Sequence, residues 1–144
     1  MLSKTNKEIS YTSEIRVRFT ECDPLGIVWH GNYIQYFEDG REAFGREYGI
    51  SYLEQKAQGF TSPIVKSSCE HKLPLRYGDV ATIKATFVDS PAAKMIFRYQ
   101  IFDPNEKLVC LGETIQVFLD SKDELSLTNP EFFINWKKKM GLVK

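Results

Sequence analysis

The stretch HGNYIQYFEDGREAFGREYG, residues 30–49, decides the fold. Tyr33, Tyr36, Phe37, Gly40, Phe44 and Tyr48 recur at steps of three and four, the period of one helical face. Asn32 followed by Gln35 resembles a capping box, which predicts a helix start there. Gly49 suits the stop. About sixteen residues at ~1.5 Å rise each give a rod of roughly 24 Å. No comparable stripe returns until the C-terminus, so this helix is the one long rod the rest must cover.

The segments around it read as strands. In EIRVRFT, residues 14–20, Ile15, Val17 and Phe19 alternate with Arg16 and Arg18, as in a half-buried strand. Residues 1–10 are polar and expected to fray. After SYLEQKAQG, a short second helix, come four strand-like runs: residues 64–75, 80–88, 94–102 and 107–119. Their breaks, RYGD, DSPAA and DPNE, are turn chemistry, and gaps this short favour antiparallel neighbours. TNPEFFINWKKKMG, residues 128–141, predicts a terminal helix. Asn129 is its candidate N-cap, Pro130 opens the first turn, Phe132, Phe133 and Trp136 form the buried stripe, and Gly141 ends it. The expected architecture is α+β: a five-stranded antiparallel sheet around one long central helix, plus a short C-terminal helix.

Length and composition fit one domain over residues 1–144, with an ordered core over about 11–141. An apolar fraction of 42% is enough for a packed core. With 19 basic and 19 acidic side chains, nothing favours nucleic acid or an anionic membrane. No apolar run approaches the ~20 residues of a membrane span, and the N-terminus lacks the apolar core of a signal peptide. The expected location is the cytoplasm. Cys22, Cys69 and Cys110 form no close-spaced pair, so the spacing predicts neither a disulfide framework nor a metal site, and no cofactor is expected.

Chemistry concentrates just before the helix, in ECDPLGIVWHGNY, residues 21–33. Asp23-Pro24-Leu25-Gly26 on its own reads as an ordinary β-turn. The next five residues give it a further meaning. Ile27, Val28 and Trp29 are apolar where a surface loop would be polar, and His30 and Gly31 stand at the helix entrance. Amides at a helix start have no internal partner and carry partial positive charge, so they stabilise an anion or a carbonyl becoming one. A rigid carboxylate beside such amides is the equipment of acyl transfer. The carboxylate attacks an activated carbonyl or deprotonates the water that does. One oxyanion donor is worth about 2.7–4 kcal/mol in the transition state. An ionised Asp is a weak nucleophile, suited to a thioester and unsuited to an amide.

The string RFTECDPLGIVWHGNYIQYFE, residues 18–38, resembles the signature of the 4-hydroxybenzoyl-CoA thioesterase family of hot-dog-fold proteins, in particular its small bacterial acyl-CoA thioesterases. LPLRYGD, residues 73–79, resembles that group's strand-to-strand turn. The resemblance implies a bent sheet wrapped around the long helix, homodimers joined edge to edge and often paired into tetramers, and an active site at the dimer interface. It implies Asp23 as the catalytic carboxylate and His30 as the residue whose backbone N–H polarises the thioester carbonyl. In the subset with histidine at this position, the side chain is also implicated. Gly31, Asn32 and Tyr33 match the helix start and, with Val28, are expected to contact substrate. The substrate implied is an acyl-CoA, or the same pantetheine arm on acyl carrier protein.

Other residues carry weaker signals. Cys22 precedes the acid, but a small buried hydrophobe is its ordinary role. His71 shares a strand face with Ser67 and Cys69, a face able to line the pocket opposite Asp23. Glu38 is expected to make a structural hydrogen bond. Lys94 and Arg98 are remote candidates for CoA phosphates, and Lys137, Lys138 and Lys139 suit the end of their own helix. Three other functions fit less well: acyl-carrier-protein hydrolysis, a hot-dog hydratase, and a non-catalytic acyl-CoA binding module.

Overall fold

A computed structural model of the chain describes residues 8–143. Five strands, β1 (Ile9–Arg16), β2 (Ile64–His71), β3 (Val80–Val88), β4 (Lys94–Phe102) and β5 (Leu108–Val117), form one sheet in the order β1-β3-β4-β5-β2. Every neighbouring pair is antiparallel. Turns of a few residues join β3, β4 and β5, so these three lie side by side. The long helix α1 (Tyr33–Tyr48) carries the chain across the sheet and leaves β1 and β2 on opposite edges. Helices α2 (Tyr52–Ala57) and α3 (Glu131–Lys139) flank it. This is the hot-dog arrangement expected from the sequence.

Alternation decides which face is inside. Ala81, Ile83, Ala85 and Phe87 of β3 and Met95, Phe97, Tyr99 and Ile101 of β4 are buried on the helix-bearing face, Phe87 against Phe133 and Trp136 of α3. From the helix, Tyr36, Phe37, Gly40 and Phe44 meet them. Each fully buried Phe is worth roughly 1.5–3 kcal/mol of transfer free energy. Two glycines set how deep the helix sits. A Cβ on Gly40 would lie 2.8 Å from Ile83 Cγ2, and one on Gly112 of β5 would lie 2.1 Å from Phe37 Cζ. Helix α1 ends as expected, with Gly49 left-handed at φ 75° and its N–H on the Gly45 carbonyl. Trp136 of α3 donates its indole N–H to the Tyr48 carbonyl at 2.8 Å and so covers that end. Among the described residues, no helix is long and apolar enough to cross a membrane.

Local details depart from expectation. Of the polar N-terminal stretch, residues 1–7 lie outside the described residues. Ile9 and Ser10 already belong to β1, which pairs with β3 from Ile9↔Phe87 to Arg16↔Val80, because the buried Ile9 extends the alternation. Phe19 is therefore not a strand residue. It lies in a 3-10 turn (Phe19–Glu21) and is exposed, edge-on to Tyr77. Strand β2 ends at His71, since Lys72 and Leu73 both turn their N–H groups to the Val109 carbonyl. Asn32 makes no capping bond. The helix is entered through a second 3-10 turn (His30–Asn32), which leaves Asn32 already helical at φ −78°, ψ −13°. Asn129 is not the cap of α3 either. Extended Pro130 occupies that place, and the Asn129 amide donates to the Pro91 carbonyl. Lys137 does not face its own helix end. It is buried, donating to the Ser90 carbonyl at 2.9 Å and pairing with Asp89 at 2.8 Å, which fastens α3 to the segment after β3.

Candidate active site

The turn before α1 is built on Glu21. Its carboxylate accepts from the Arg18 backbone N–H at 2.8 Å and from the Tyr36 hydroxyl at 2.8 Å, and it pairs with the Arg18 guanidinium at 3.2 Å. Burial and the acceptor Glu21 push the Tyr36 hydroxyl far above the usual phenol range, so it stays a donor. The Glu21 backbone carbonyl accepts from the Trp29 N–H at 2.9 Å and from the Asn32 side-chain amide at 2.8 Å. One buried residue thereby ties both ends of the turn to the helix. Sequence reasoning misses this anchor. The signal for it is an acid at position 21 set against a tyrosine on the helix face at position 36.

Within the turn, Asp23 donates its N–H to the Ile27 carbonyl and accepts from the Gly26 N–H, both at 2.9 Å. Gly26 is left-handed at φ 80°. A tight hairpin closed by a left-handed glycine is the geometry that D-P-x-G encodes. Cys22 pairs with Val28 across it. The Asp23 side chain is half-buried. Its Oδ1 accepts from the Leu25 N–H at 2.8 Å, which fixes the carboxylate plane, and Oδ2 has no hydrogen-bond partner among the described residues. The ordinary turn and the pinned carboxylate are thus one object.

Past the turn, Trp29 is extended and the chain closes into the 3-10 turn, with the Asn32 N–H on the Trp29 carbonyl and the Tyr33 N–H on the His30 carbonyl. The two amides between, His30 and Gly31, have no acceptor among the described residues. Gly31 is covered by Trp29: a Cβ there would lie 2.2 Å from the indole, so only glycine leaves the ring in place. The His30 ring is exposed, 5.0 Å from Trp29 and 6.2 Å from His71, centroid to centroid. Tyr33 is buried, edge-on to His71 at 5.0 Å, and its hydroxyl accepts from the Leu75 N–H at 3.3 Å. Val28 is also buried, its N–H on the Leu75 carbonyl at 2.8 Å.

The fold carries His30, Gly31, Asn32 and Tyr33 as one ledge that runs on from the Asp23 turn into α1, with buried Val28 on the returning arm of the turn. It adds His71 from the end of β2. The remaining candidates lie elsewhere. Glu38 pairs with Arg41, which also donates to the Tyr99 hydroxyl at 3.2 Å. This is the structural bond expected of Glu38, made within α1. Arg98 faces away from the helix side of the sheet and pairs with Glu113 at 3.1 Å. Around the turn, Phe19, Leu25, Trp29, Leu73 and Tyr77 all expose large apolar surface.

Known proteins share the fold. Residues 17–136 match the model of the thioesterase-like superfamily. A Bacillus subtilis protein provisionally named acyl-CoA thioesterase YneP is 30% identical over 85% of this chain and 89% of its own length. The chloroplast acyl-acyl carrier protein thioesterase ATL3 of Arabidopsis thaliana is 33% identical over 76% of this chain and 58% of its own. The solved structure of a DHNA-CoA thioesterase from Staphylococcus aureus superposes with a TM-score of 0.81 at 23% identity, covering 92% of each chain. A five-stranded antiparallel sheet over one long helix, entered through a D-P-x-G turn, together with a family match over most of its length, makes this chain a member of the hot-dog-fold thioesterase-like superfamily.

Proposed function

We propose that the chain hydrolyses an acyl-CoA thioester to the free acid and CoA, with Asp23 as the carboxylate that starts the reaction. Water adds its oxygen to the acyl carbon, the carbon–sulfur bond breaks, and the thiolate leaves with one proton. Asp23 either takes the proton of that water or attacks first, forming an anhydride that water then opens. The His30 and Gly31 N–H groups receive the oxyanion that forms in either route. The observation that supports this reading is a pinned Asp23 carboxylate, one oxygen unused, in the same loop as two consecutive amides that lack acceptors among the described residues. Asn32 serves as a positioning residue. Asn32 holds the ledge to Glu21, and Gly31 admits the Trp29 ring. Val28 and Tyr33 form the floor beneath.

The test is release of free thiol across a panel of acyl-CoAs. Asp23→Asn and Asp23→Ala are expected to lower kcat by at least about a hundredfold on the best substrate, with the fold intact by circular dichroism. Equal rates for wild type and Asp23→Ala would remove Asp23 from the mechanism. The similarity to a plant acyl-acyl carrier protein thioesterase supports a second reading, in which the same pantetheine arm arrives on a carrier protein. Comparing kcat/KM for one acyl group on CoA and on acyl carrier protein separates the two.

The same reading includes a homodimer, in which the site is shared between copies. Two features support it: β2 is a free sheet edge, and the large apolar side chains around the turn remain exposed in the single chain.

A further inference from the structure

Three metal-ligating side chains that are distant in sequence meet across the β2–β5 pairing. His71 stands opposite Cys110, and Cys69 opposite Gly112, so all three side chains share the helix-facing side of the sheet. Cys69 Sγ lies 3.2 Å from Cys110 Sγ and 3.9 Å from His71 Nδ1. The three ligand atoms fall within 4.8 Å of one another. Around a tetrahedral zinc ion, with Zn–S near 2.3 Å and Zn–N near 2.0–2.1 Å, the corresponding S···S and S···N edges are about 3.8 and 3.5 Å. The cluster brackets those values, and side-chain shifts of about an ångström close it around an ion.

We propose that Cys69, His71 and Cys110 bind one zinc-class divalent cation through two thiolates and one imidazole, with the fourth position left to water. Two soft thiolates with an imidazole select zinc-like ions over magnesium or calcium. Two thiolates also cancel the charge of the ion, which suits a site where Cys110 is buried and only His71 is exposed. A disulfide is the competing use of the two sulfurs. It is disfavoured by register, because Cys69 and Cys110 are diagonal rather than opposite neighbours. Diagonal pairs sit at about 7–8 Å, beyond the roughly 4.4–6.8 Å between Cα atoms that a disulfide spans. The sulfurs can share an ion without the backbones closing up.

Loading has a defined proton balance. Cysteine thiols are ordinarily protonated at pH 7 and bind a metal ion only as thiolates. Each loses a proton on binding, while the imidazole binds in its neutral form. Two protons leave per ion, and affinity rises by up to about a hundredfold per pH unit.

The experiment titrates cobalt(II), then zinc, into the reduced full-length protein. The expected result is one cobalt per chain, with the intense visible bands of a tetrahedral site and sulfur-to-cobalt charge transfer in the near ultraviolet, both displaced by zinc. Two protons should appear per ion in a weakly buffered solution with an indicator dye. The chain has only 2 histidines, so imidazole NMR signals resolve the ligand, and the His71 resonances should move most. Cys69→Ser and His71→Ala should each abolish the thiolate spectrum, while Cys22→Ser keeps it. Cys69 and His71 are not core residues, so these variants stay folded where Cys110→Ser need not. Cobalt spectra unchanged in Cys69→Ser and His71→Ala, the absence of a thiolate band at micromolar metal, or a Cys69–Cys110 disulfide by intact mass in place of binding would each overturn the proposal. Every readout is independent of thioester hydrolysis.

Discussion

Cys22 and Asp23 are adjacent, and chemistry alone would favour the sulfur as nucleophile. Their surroundings reverse that order. Burial, then the neighbouring charges of Asp23, Glu21 and Asp79, push the Cys22 thiol up, and its Sγ donates to the Arg18 carbonyl at 3.7 Å. A raised thiol pKa means less thiolate at pH 7–8, hence a poorer nucleophile. Cys22→Ser is therefore expected to keep kcat/KM within about twofold, and iodoacetamide labelling of Cys22 should reach half its maximal rate above the pH of a free cysteine. A loss beyond about tenfold in Cys22→Ser would move the nucleophile to sulfur. Much at this scale is legible in the sequence. Asp, Pro and Gly at 23, 24 and 26 encode the turn through fixed φ, a left-handed φ and an accepting carboxylate. The work of Asn32 is not, because its partner, the Glu21 carbonyl, is 11 residues away in sequence and no local pattern marks it. The Cys69–His71–Cys110 cluster is hidden for the same reason. Its two sulfurs are 41 residues apart and meet only through strand register.

Between elements, the decisive contact is α1 on the sheet. Phe37 is fully buried, stacked on Tyr99 at 4.6 Å between ring centroids, with its ring end against Gly112. Gly112→Ala tests this packing. Alanine restricts the unfolded chain and on that count stabilises by about 0.4–1 kcal/mol. The new Cβ would stand 2.1 Å from Phe37 Cζ and 2.3 Å from Cε2, and the ring is fully buried and stacked on Tyr99. Overpacking of this kind costs about 1–3 kcal/mol. The clash exceeds the entropic gain, so the variant should lose about 2 kcal/mol, a fall in Tm of roughly 5–10 °C by calorimetry. An unchanged Tm would mean that the helix can lift off β5 freely. Element identity is readable throughout, since periods of 3.6 and 2 are properties of the local chain. Element ends are less so. Extension of β1 back to Ile9 depends on pairing with Phe87, and termination of β2 at His71 depends on two N–H groups sharing the Val109 carbonyl. Neither partner is local.

For the whole molecule, short turns make the β3-β4-β5 meander legible, whereas the edge positions of β1 and β2 depend on where α1 delivers the chain. That delivery leaves β2 with one side unpaired, carrying Cys69 and His71 next to the ledge of His30. Little on this edge resists pairing with a second chain: within β2, Lys66 and Glu70 are the two charged residues, and Val65 is 58% exposed at the irregularity between Ile64 and Lys66. The proposed dimer should therefore sediment at twice the 16.6 kDa of the chain. Val65→Lys places a charge on the edge while removing little from the core, so it should weaken the dimer at least about tenfold and leave the far-ultraviolet spectrum unchanged. If the site is shared, thiol release per chain should fall with dilution of this variant, in step with dissociation, and recover on concentration. A Val65→Lys monomer with full activity at every concentration would show that one chain holds a complete site. The exposed apolar ring of Phe19, Leu25, Trp29 and Tyr77 would then be the binding surface for the acyl group itself, since nothing else would remain to cover it.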